Sequence, residues 1–593
     1  MLRTLIGGLL YVITGVLLAQ GAPLPLNEAG YDLLRRLEIR YGYAGFTMPA
    51  ADLDLRPASR GDLVRLAKTY AALYEADLSR VDRYRLQRFF DDNNEWLSLP
   101  TLEATDDPDR APFDLRDDFA TASVGSPLYR TSQRPVLRTF YEVPSFLYSV
   151  NRKDFYLRVN PVLDARLGQL GGEEQTYLYN QRGVRLRAGF DDRIFLHFEI
   201  LDHQFGAPNY LRNYFRSVRS LPGAGLVKDE LALAAFDIRK GYNYLNGAGY
   251  VSVDITRHVG ARLGYGQHFI GNGERSLFLS DFSNNYPFLE LNWRIWKLHY
   301  RNIFAELTQG PFSPAAPNAL LPKKYLAAHH LSINLGKRLS VGLFEAVVLS
   351  REDGFELSYL NPVILYRTVE GNIGSPDNVL IGLTAAYRVP ALRAEVYGQF
   401  MLDEFVFDEL FVQRRGWWAN KWAYQIGARH VDAFGIGQLD LVVERNVARP
   451  YLYTHKGPSN YTHGNLPLAH PLGANFTENL LGIDYRPLPR LHLDARLYLI
   501  EQGEGMDSTV VGENLTQSSN LRSMTFGNEI GQGIGYTNTI VQLRAGYELR
   551  PNLWLEAEYF RRNKDSERDQ RDLSTTLVNV GVRWNILRRR EAF

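Results

Sequence analysis

The sequence predicts an all-β chain: a transmembrane outer-membrane β-barrel of about 18 antiparallel strands, with a small N-terminal helical bundle ahead of it. Three observations carry this expectation. From about residue 112 onward, apolar and polar residues alternate with period two in runs of ten or more. The connections between those runs switch between tight turns and long loops. The chain also opens with a segment of the export type.

Residues 1–21 read as a signal peptide. "MLR" is a short basic start, "TLIGGLLYVITGVLLA" is an uncharged apolar run, and Ala19 and Gly21 fit cleavage before Ala22. The alternative, an uncleaved anchor, fits less well with these small residues and with Pro23 and Pro25 just after them. Beyond this point no stretch approaches the roughly 20 apolar residues that a spanning helix needs.

Residues 22–110 are assigned to a periplasmic helical bundle. Tyr31, Leu34, Leu37 and Tyr41 recur at helical spacing, and Gly42 supplies a stop. Ser59 with Asp62, and Ser79 with Asp82, stand where capping pairs stand at helix starts. Three short amphipathic helices make a small core, so they are expected to lean on a larger body.

Residues 111–593 are assigned to the barrel. In "FYLRVNPVLDARLG", Phe155, Leu157, Val159, Pro161, Leu163, Ala165 and Leu167 share one face. Tyr156, Arg158, Asn160, Asp164 and Arg166 share the other. "LHLDARLYL" (491–499) and "VQLRAGYELRPNLWLEAEYF" (541–560) repeat the pattern. A soluble sandwich also alternates, but here the polar face is rich in Arg, Asp and Glu, as a wet or internally paired lumen requires. Residues 336–338, 388–391, 486–490 and 550–552 are tight turns, whereas 351–378 and 501–535 are long loops. A strand-like "NPVILYR" contains Pro362, which suggests a bulge or strand start. "TLVNVGVRWNILRRREAF" gives a last strand, a solvated "RRRE" and the terminal Phe593.

Composition excludes several functions. Lys and Arg (67) nearly cancel Asp and Glu (66), so no global field favours nucleic acid. With no Cys there are no disulfides and no thiolate metal sites.

Three segments resemble the Wzi-type capsule assembly family of Gram-negative outer membranes, including its Bacteroidetes branch with the gliding protein RemB. They are "YGQHFIGNGERSLFLSDFSNNYPFLEL" (265–291), "ELSYLNPVILYRTVEGNIGSPDNVLIGL" (356–383) and "YTH…Y…PLAHPLGANFTENL" (453–480). The resemblance implies a barrel of about 18 strands with a periplasmic bundle. It also implies a role in holding capsular or other surface polysaccharide, or in gliding and adhesion. It implies no catalytic residues, so the chain is expected not to be an enzyme.

Segment 453–476 holds His455, His463 and His470, along with three glycines and three prolines. Zinc sites favour a short His-x-His or a His-Glu-x-x-His, and neither is present. Ser276 and Asp281 lie outside any Gly-x-Ser-x-Gly elbow, so catalysis is not expected from them. "GNGERS" (271–276) lacks the Lys-Ser/Thr of a phosphate loop and reads as a tight extracellular loop. The histidine segment is expected to fold into or over the barrel mouth, its His and Asn satisfying backbone groups or sugar hydroxyls. The tentative ligand-binding set is Tyr453, His455, Tyr461, His463, His470, Asn475, Trp417 and Trp418, with Tyr451 beside them. No metal and no cofactor are expected. The expected partners are outer-membrane lipid, surface polysaccharide, and other outer-membrane or periplasmic proteins. The competing functions are a diffusion pore and an accessory barrel of a gliding or secretion machine.

Overall fold

A computed structural model describes residues 22–43, 53–97 and 145–586. Within the last range, 153, 174–175, 192, 225–226, 228, 234–237, 257, 311–319, 352–353, 362–364, 375–376, 405, 456 and 507–508 are outside the description. The expected signal peptide, residues 98–144, Pro362, "RRRE" and Phe593 therefore lie outside the described residues.

Eighteen antiparallel strands close into a barrel. In chain order they are β1 (Phe155–Gly171), β2 (Thr176–Phe190), β3 (Ile194–Gly206), β4 (Ile238–Asp254), β5 (Val259–Gly266) and β6 (Tyr286–Ile295). Then come β7 (Leu298–Thr308), β8 (Lys323–Leu335), β9 (Leu339–Leu349), β10 (Asn378–Val389), β11 (Ala394–Leu402) and β12 (Trp422–His430). The last six are β13 (Leu439–Ala448), β14 (Phe476–Leu488), β15 (Leu491–Glu504), β16 (Ile534–Arg550), β17 (Leu553–Ser566) and β18 (Leu573–Trp584). Neighbours in sequence pair throughout, and β18 closes on β1 with Trp584 opposite Leu163 and Thr576 opposite Gly171. Two short strands, Tyr148–Arg152 and Asp229–Leu233, pair along β1 and β4 without taking part in closure.

The period-two pattern sorts as expected. Outward residues such as Leu167, Val396, Ile426, Leu499, Leu543, Leu555 and Val578 are exposed, while inward Arg158, Asp164, Arg496 and Tyr498 are buried. A continuous exposed band of this kind needs lipid, not water, as its solvent. No helix among the described residues is long and apolar enough to cross a membrane.

The tight turns gather at one end of the barrel, and the helices sit in that mouth. They are α1 (Ala29–Tyr41), α2 (Arg60–Leu73) and α3 (Arg80–Asp91). Gly42 ends α1 at φ 84°, a backbone conformation that suits glycine. Ser59 and Ser79 accept from the Asp62 and Asp82 amides, as the capping pairs foretold. The helices share a core of Leu24, Leu34, Leu37, Leu63, Leu66, Tyr70, Phe89 and Trp96 that reaches Phe195 on the barrel wall.

Charge fixes the bundle in the mouth. Arg36 on α1 reaches Asp82 on α3 together with Asp432 and Asp440 from the β12–β13 turn and β13. Arg35 donates to Asp54 at 2.5 Å and to Asn272 at 2.7 Å. Arg88 on α3 donates to Asn552 in the β16–β17 turn at 2.9 Å.

Candidate functional site

Two segments that leave the wall fill the other half of the lumen. Residues 267–285, between β5 and β6, turn inward. Phe269 and Ile270 pair with Arg56 and Leu55 from the bundle side. The amides of Glu274 and Arg275 donate to Glu444 on β13, and the Leu277 amide donates to Gln399 on β11. "GNGERS" is thus a lumenal insertion and not the exposed extracellular loop expected. Polar groups on the inward faces of distant strands satisfy its backbone. Ser276 donates to the Ile270 carbonyl and accepts from the Phe278 amide at 3.1 Å. That gives it a structural place in the turn.

Residues 449–475, between β13 and β14, lie on top of this insertion. The Tyr453 hydroxyl donates to the Leu277 carbonyl at 2.7 Å, and that of Tyr461 to the Phe278 carbonyl at 2.9 Å. The two rings stack with centroids 5.6 Å apart. Around them Leu277, Phe278, Leu326, Phe344, Leu468, Ala474 and Phe476 form one apolar core.

The three histidines take three separate partners. His470 bonds Glu478 at 2.9 Å, and Arg275 holds that same carboxylate. His463 lies between the Thr308 amide and the Asn285 carbonyl. His455 faces Glu404 at 3.4 Å. Burial is the main force holding His463 down to about 4 and His470 below its ordinary value; the Glu478 carboxylate opposes it at His470. The Asn475 side chain bridges the Gly503 and Gln532 carbonyls and the Gly531 amide. Tyr451, Tyr453, Tyr461, His470 and Asn475 are 0% exposed. Within the proposed binding set the structure therefore brings Tyr453, Tyr461, His463, His470 and Asn475 together as the inside of a plug. Four of them present no surface to a ligand arriving from outside, and His463 presents almost none.

Among the described residues, Asp484, His492 and Asp494 form the one His/Asp/Glu group with mutually close ligand atoms. Arg496 holds Asp484 at 2.6 Å. That cation offsets the charge a metal would need.

Trp417 and Trp418 are placed differently. They are half-buried on the loop between β11 and β12, which pairs with the loop between β15 and β16. The Trp418 amide donates to the Thr525 carbonyl at 3.0 Å, Gly527 to Arg415 at 2.8 Å, and Asn528 to Gly416 at 2.9 Å. The Arg522 guanidinium covers the Trp418 ring at 4.4 Å, and Arg415 covers Phe526 at 4.4 Å. Phe407 (65% exposed), Phe411 (52%) and Phe526 (42%) extend this surface. Sequence reasoning missed these three phenylalanines. For Phe407 and Phe411 the signal was the aromatic density of "DEFVFDELF" (403–411) inside a loop; Phe526, in "SMTFGN" (523–528), carried none. Aromatic faces beside guanidinium groups on two mutually braced loops make a rigid platform suited to planar, hydroxyl-bearing ligands.

No protein-family model matches the sequence. No curated protein matches it either. Solved structures do. Wzi, an outer-membrane protein involved in group 1 capsule assembly in Escherichia coli and described as a carbohydrate-binding β-barrel, aligns with a TM-score of 0.54 at 11% identity. The match covers 95% of this chain and 100% of that one. OprD from Pseudomonas aeruginosa gives a TM-score of 0.40 at 10% identity over 72% of this chain and 94% of that one. OccAB2 from Acinetobacter baumannii gives 0.39 at 9% identity over 75% and 99%. At these identities the likeness is one of fold.

Proposed function

We propose that this chain is an outer-membrane barrel that binds surface polysaccharide and holds it at the cell, without enzymatic activity. The observation that carries the reading is the division of labour along the barrel axis. Helices and inserted loops fill the lumen, while the long-loop end offers the braced aromatic–arginine platform of Phe407, Phe411, Arg415, Trp417 and Phe526. The carbohydrate binding described for Wzi supports the reading by analogy of fold. Capsule assembly is the form it takes here, with the RemB-like gliding role as its neighbour.

The test is binding of the purified, detergent-solubilised protein to polysaccharide extracted from the producing cell. Trp417→Ala and Phe411→Ala should each weaken binding by about 1–3 kcal/mol, the usual cost of a lost aromatic anchor. Full binding by both folded variants would take the platform out of the reading. A deletion strain scored for capsule retention and for surface motility separates the capsule role from the gliding role.

One observation favours a pore as the second reading. A cavity of about 370 Å³ beside α1 and α3 and one of about 110 Å³ near Tyr179 and Phe560 share Phe269, Glu274, Arg275 and Asp281 in their walls. Planar-bilayer conductance of the intact protein tests whether they join into a path.

A further inference from the structure

The outer wall breaks its own pattern in one sector. On β7, β8 and β9, Asn302 stands opposite His329, and His329 opposite Glu345, in a single row across three strands. The same register puts Phe304, Ala327, Val347 and exposed Leu343 on this face. It is therefore the outward, lipid-side face, since Leu326, Ala328, Phe344 and Ala346 point into the lumenal core. Glu345 lies six positions along β9 from Leu339 at the tight-turn end. With about 2.6 Å of height per residue in a tilted strand, that is about 16 Å above the tight-turn end, well within the roughly 25 Å that an apolar band spans. A bare His–Glu pair at that depth would be costly.

It is not bare. After β9 the chain folds down the outside of the barrel as a 3-10 turn (Leu357–Leu360) and a helix, α4 (Tyr366–Ile373), before β10. The run around Pro362 is thus flanked by helical turns, where the sequence suggested a strand. Glu345 accepts the Tyr366 amide at 3.0 Å and the Arg367 amide at 3.2 Å, so a carboxylate from the wall caps α4. His329 bonds Glu345 at 2.8 Å and stacks on the Tyr366 ring at 4.4 Å. Tyr359, Tyr366 and Val369 seal the row together with Phe304, Val347, Leu349 and Val379.

We infer that this flap, residues 354–361 and 365–374, is a membrane-embedded part of the wall whose outer neighbour is lipid acyl chain in the leaflet on the long-loop side. The surface it turns outward supports that occupant. Leu357 (75%), Leu365 (63%) and Leu360 (39%) are exposed, as continuations of the belt that Ile381 and Leu383 form beside them. Three of the exposed polar side chains are satisfied within the flap itself. Ser358 donates to Glu356, Thr368 to the Leu365 carbonyl, and Arg367 to Glu370 at 2.5 Å. Groups that saturate one another in this way tolerate hydrocarbon, whereas groups left open need water or a protein partner. Residues 356–361 and 365–374 of the segment resembling a family motif thereby acquire a physical role in lipid contact.

The inference rests on the barrel reading, and the experiment separates the two. Because the chain has no Cys, single cysteines at Leu365, Leu383 and Phe407 can each carry an environment-sensitive fluorophore in the full-length protein. The labelled proteins are reconstituted into vesicles containing acyl-brominated phosphatidylcholine. Leu365→Cys should be quenched by bromine as strongly as Leu383→Cys and stay insensitive to aqueous iodide, while Phe407→Cys shows the reverse. A quenched Leu383 label with an iodide-quenched Leu365 label would overturn the flap and leave the barrel. Protection of Leu365 from both quenchers would mean a protein neighbour and would also overturn the lipid assignment. A Leu383 label insensitive to bromine would overturn the barrel itself. In a second arm, Glu345→Ala should free α4, giving the Leu365 label several-fold greater iodide quenching, with Glu345→Gln restoring most of the protection. Unchanged quenching in Glu345→Ala would remove Glu345 as the anchor.

Discussion

The helical bundle and the loop plug do the same job at opposite ends of one lumen, and they are held by different forces. The bundle is docked by charge: three carboxylates converge on Arg36, and Arg35 spans Asp54 and Asn272. The loop plug is docked by burial: its tyrosines, leucines and phenylalanines merge with the inward faces of β7–β10 into one apolar core. A wall lined with Arg, Asp and Glu holds a helical bundle seated in its mouth mainly by pairing with it. A loop that begins and ends on the wall can instead bring its own core. The bundle is therefore a part that can be undocked, and the loop plug is part of the barrel.

Arg36→Ala should have the largest effect on the bundle. It removes the cation that Asp82, Asp432 and Asp440 share, leaving Arg40 near Asp82 and Asp432 and Arg393 beside Asp432, and breaking a buried pair of this kind costs up to about 3–5 kcal/mol. The bundle should become protease-sensitive while β-barrel heat-modifiability on gels is retained. Deleting residues 28–95 should give the same barrel with raised bilayer conductance. A bundle that stays protected in Arg36→Ala would put its docking on the apolar contact with Phe195 instead.

A pH change should pull the two ends in opposite directions. His463 is held near 4 and His470 below its usual value, so between pH 6.5 and those values the folded plug binds fewer protons than the opened one. Its stability is present above about pH 6.5 and is lost as pH falls, by up to ~3 kcal/mol for His463 at the low end. Glu38 on α1 has the opposite sign. Burial raises it to about 7 against the pull of Arg388 and Arg35, so the docked bundle binds more protons than the free one between about pH 4.5 and 7 and gains as pH falls. Burial also pushes Asp82 up, but Arg36 and Gln438 outweigh it and hold that carboxyl below its ordinary range, so its contribution survives mild acid. Hydrogen exchange at pH 7.5 and pH 5 should show segment 453–476 opening while 29–41 does not. Equal opening of both would contradict the assignment of these histidines as neutral plug groups.

What the sequence made legible was local or periodic. The caps at Ser59 and Ser79, the stop at Gly42 and the alternation around Arg158 and Asp494 each need only neighbouring residues to be read. The inward fold of 267–285 could not be read that way. Its backbone partners, Gln399 and Glu444, lie more than a hundred residues away and look like ordinary lumenal polar residues. The outer-wall row was legible in principle, because His329 and Glu345 stand in outward register among Ala327, Leu331, Leu343 and Val347. The aromatic count favoured candidates that the structure buries. Tyr453 and Tyr461 sit in a segment rich in Gly and Pro, a composition that serves a buried, tightly turned plug as well as an open binding loop.

The smallest expected effect is the one that separates plug from ligand site most cleanly. Tyr461→Phe keeps the ring stacked on Tyr453 and deletes only the hydroxyl that donates to the Phe278 carbonyl. A buried carbonyl left without its donor costs about 1–2 kcal/mol. The loss should appear as a modest drop in thermal stability of the detergent-solubilised protein, with exchange rising at 277–279. Polysaccharide affinity should stay at the level of the unaltered protein, because a ring that is 0% exposed cannot touch a chain bound outside. His470→Ala should behave alike, with a larger stability loss since Glu478 and the Leu472 amide both lose a partner, and added Zn²⁺ should leave its melting temperature and that of the unaltered protein unmoved. If Tyr461→Phe weakened glycan binding as much as Trp417→Ala while remaining folded, the ligand would have to reach inside the lumen, and the boundary drawn here between plug and platform would move inward.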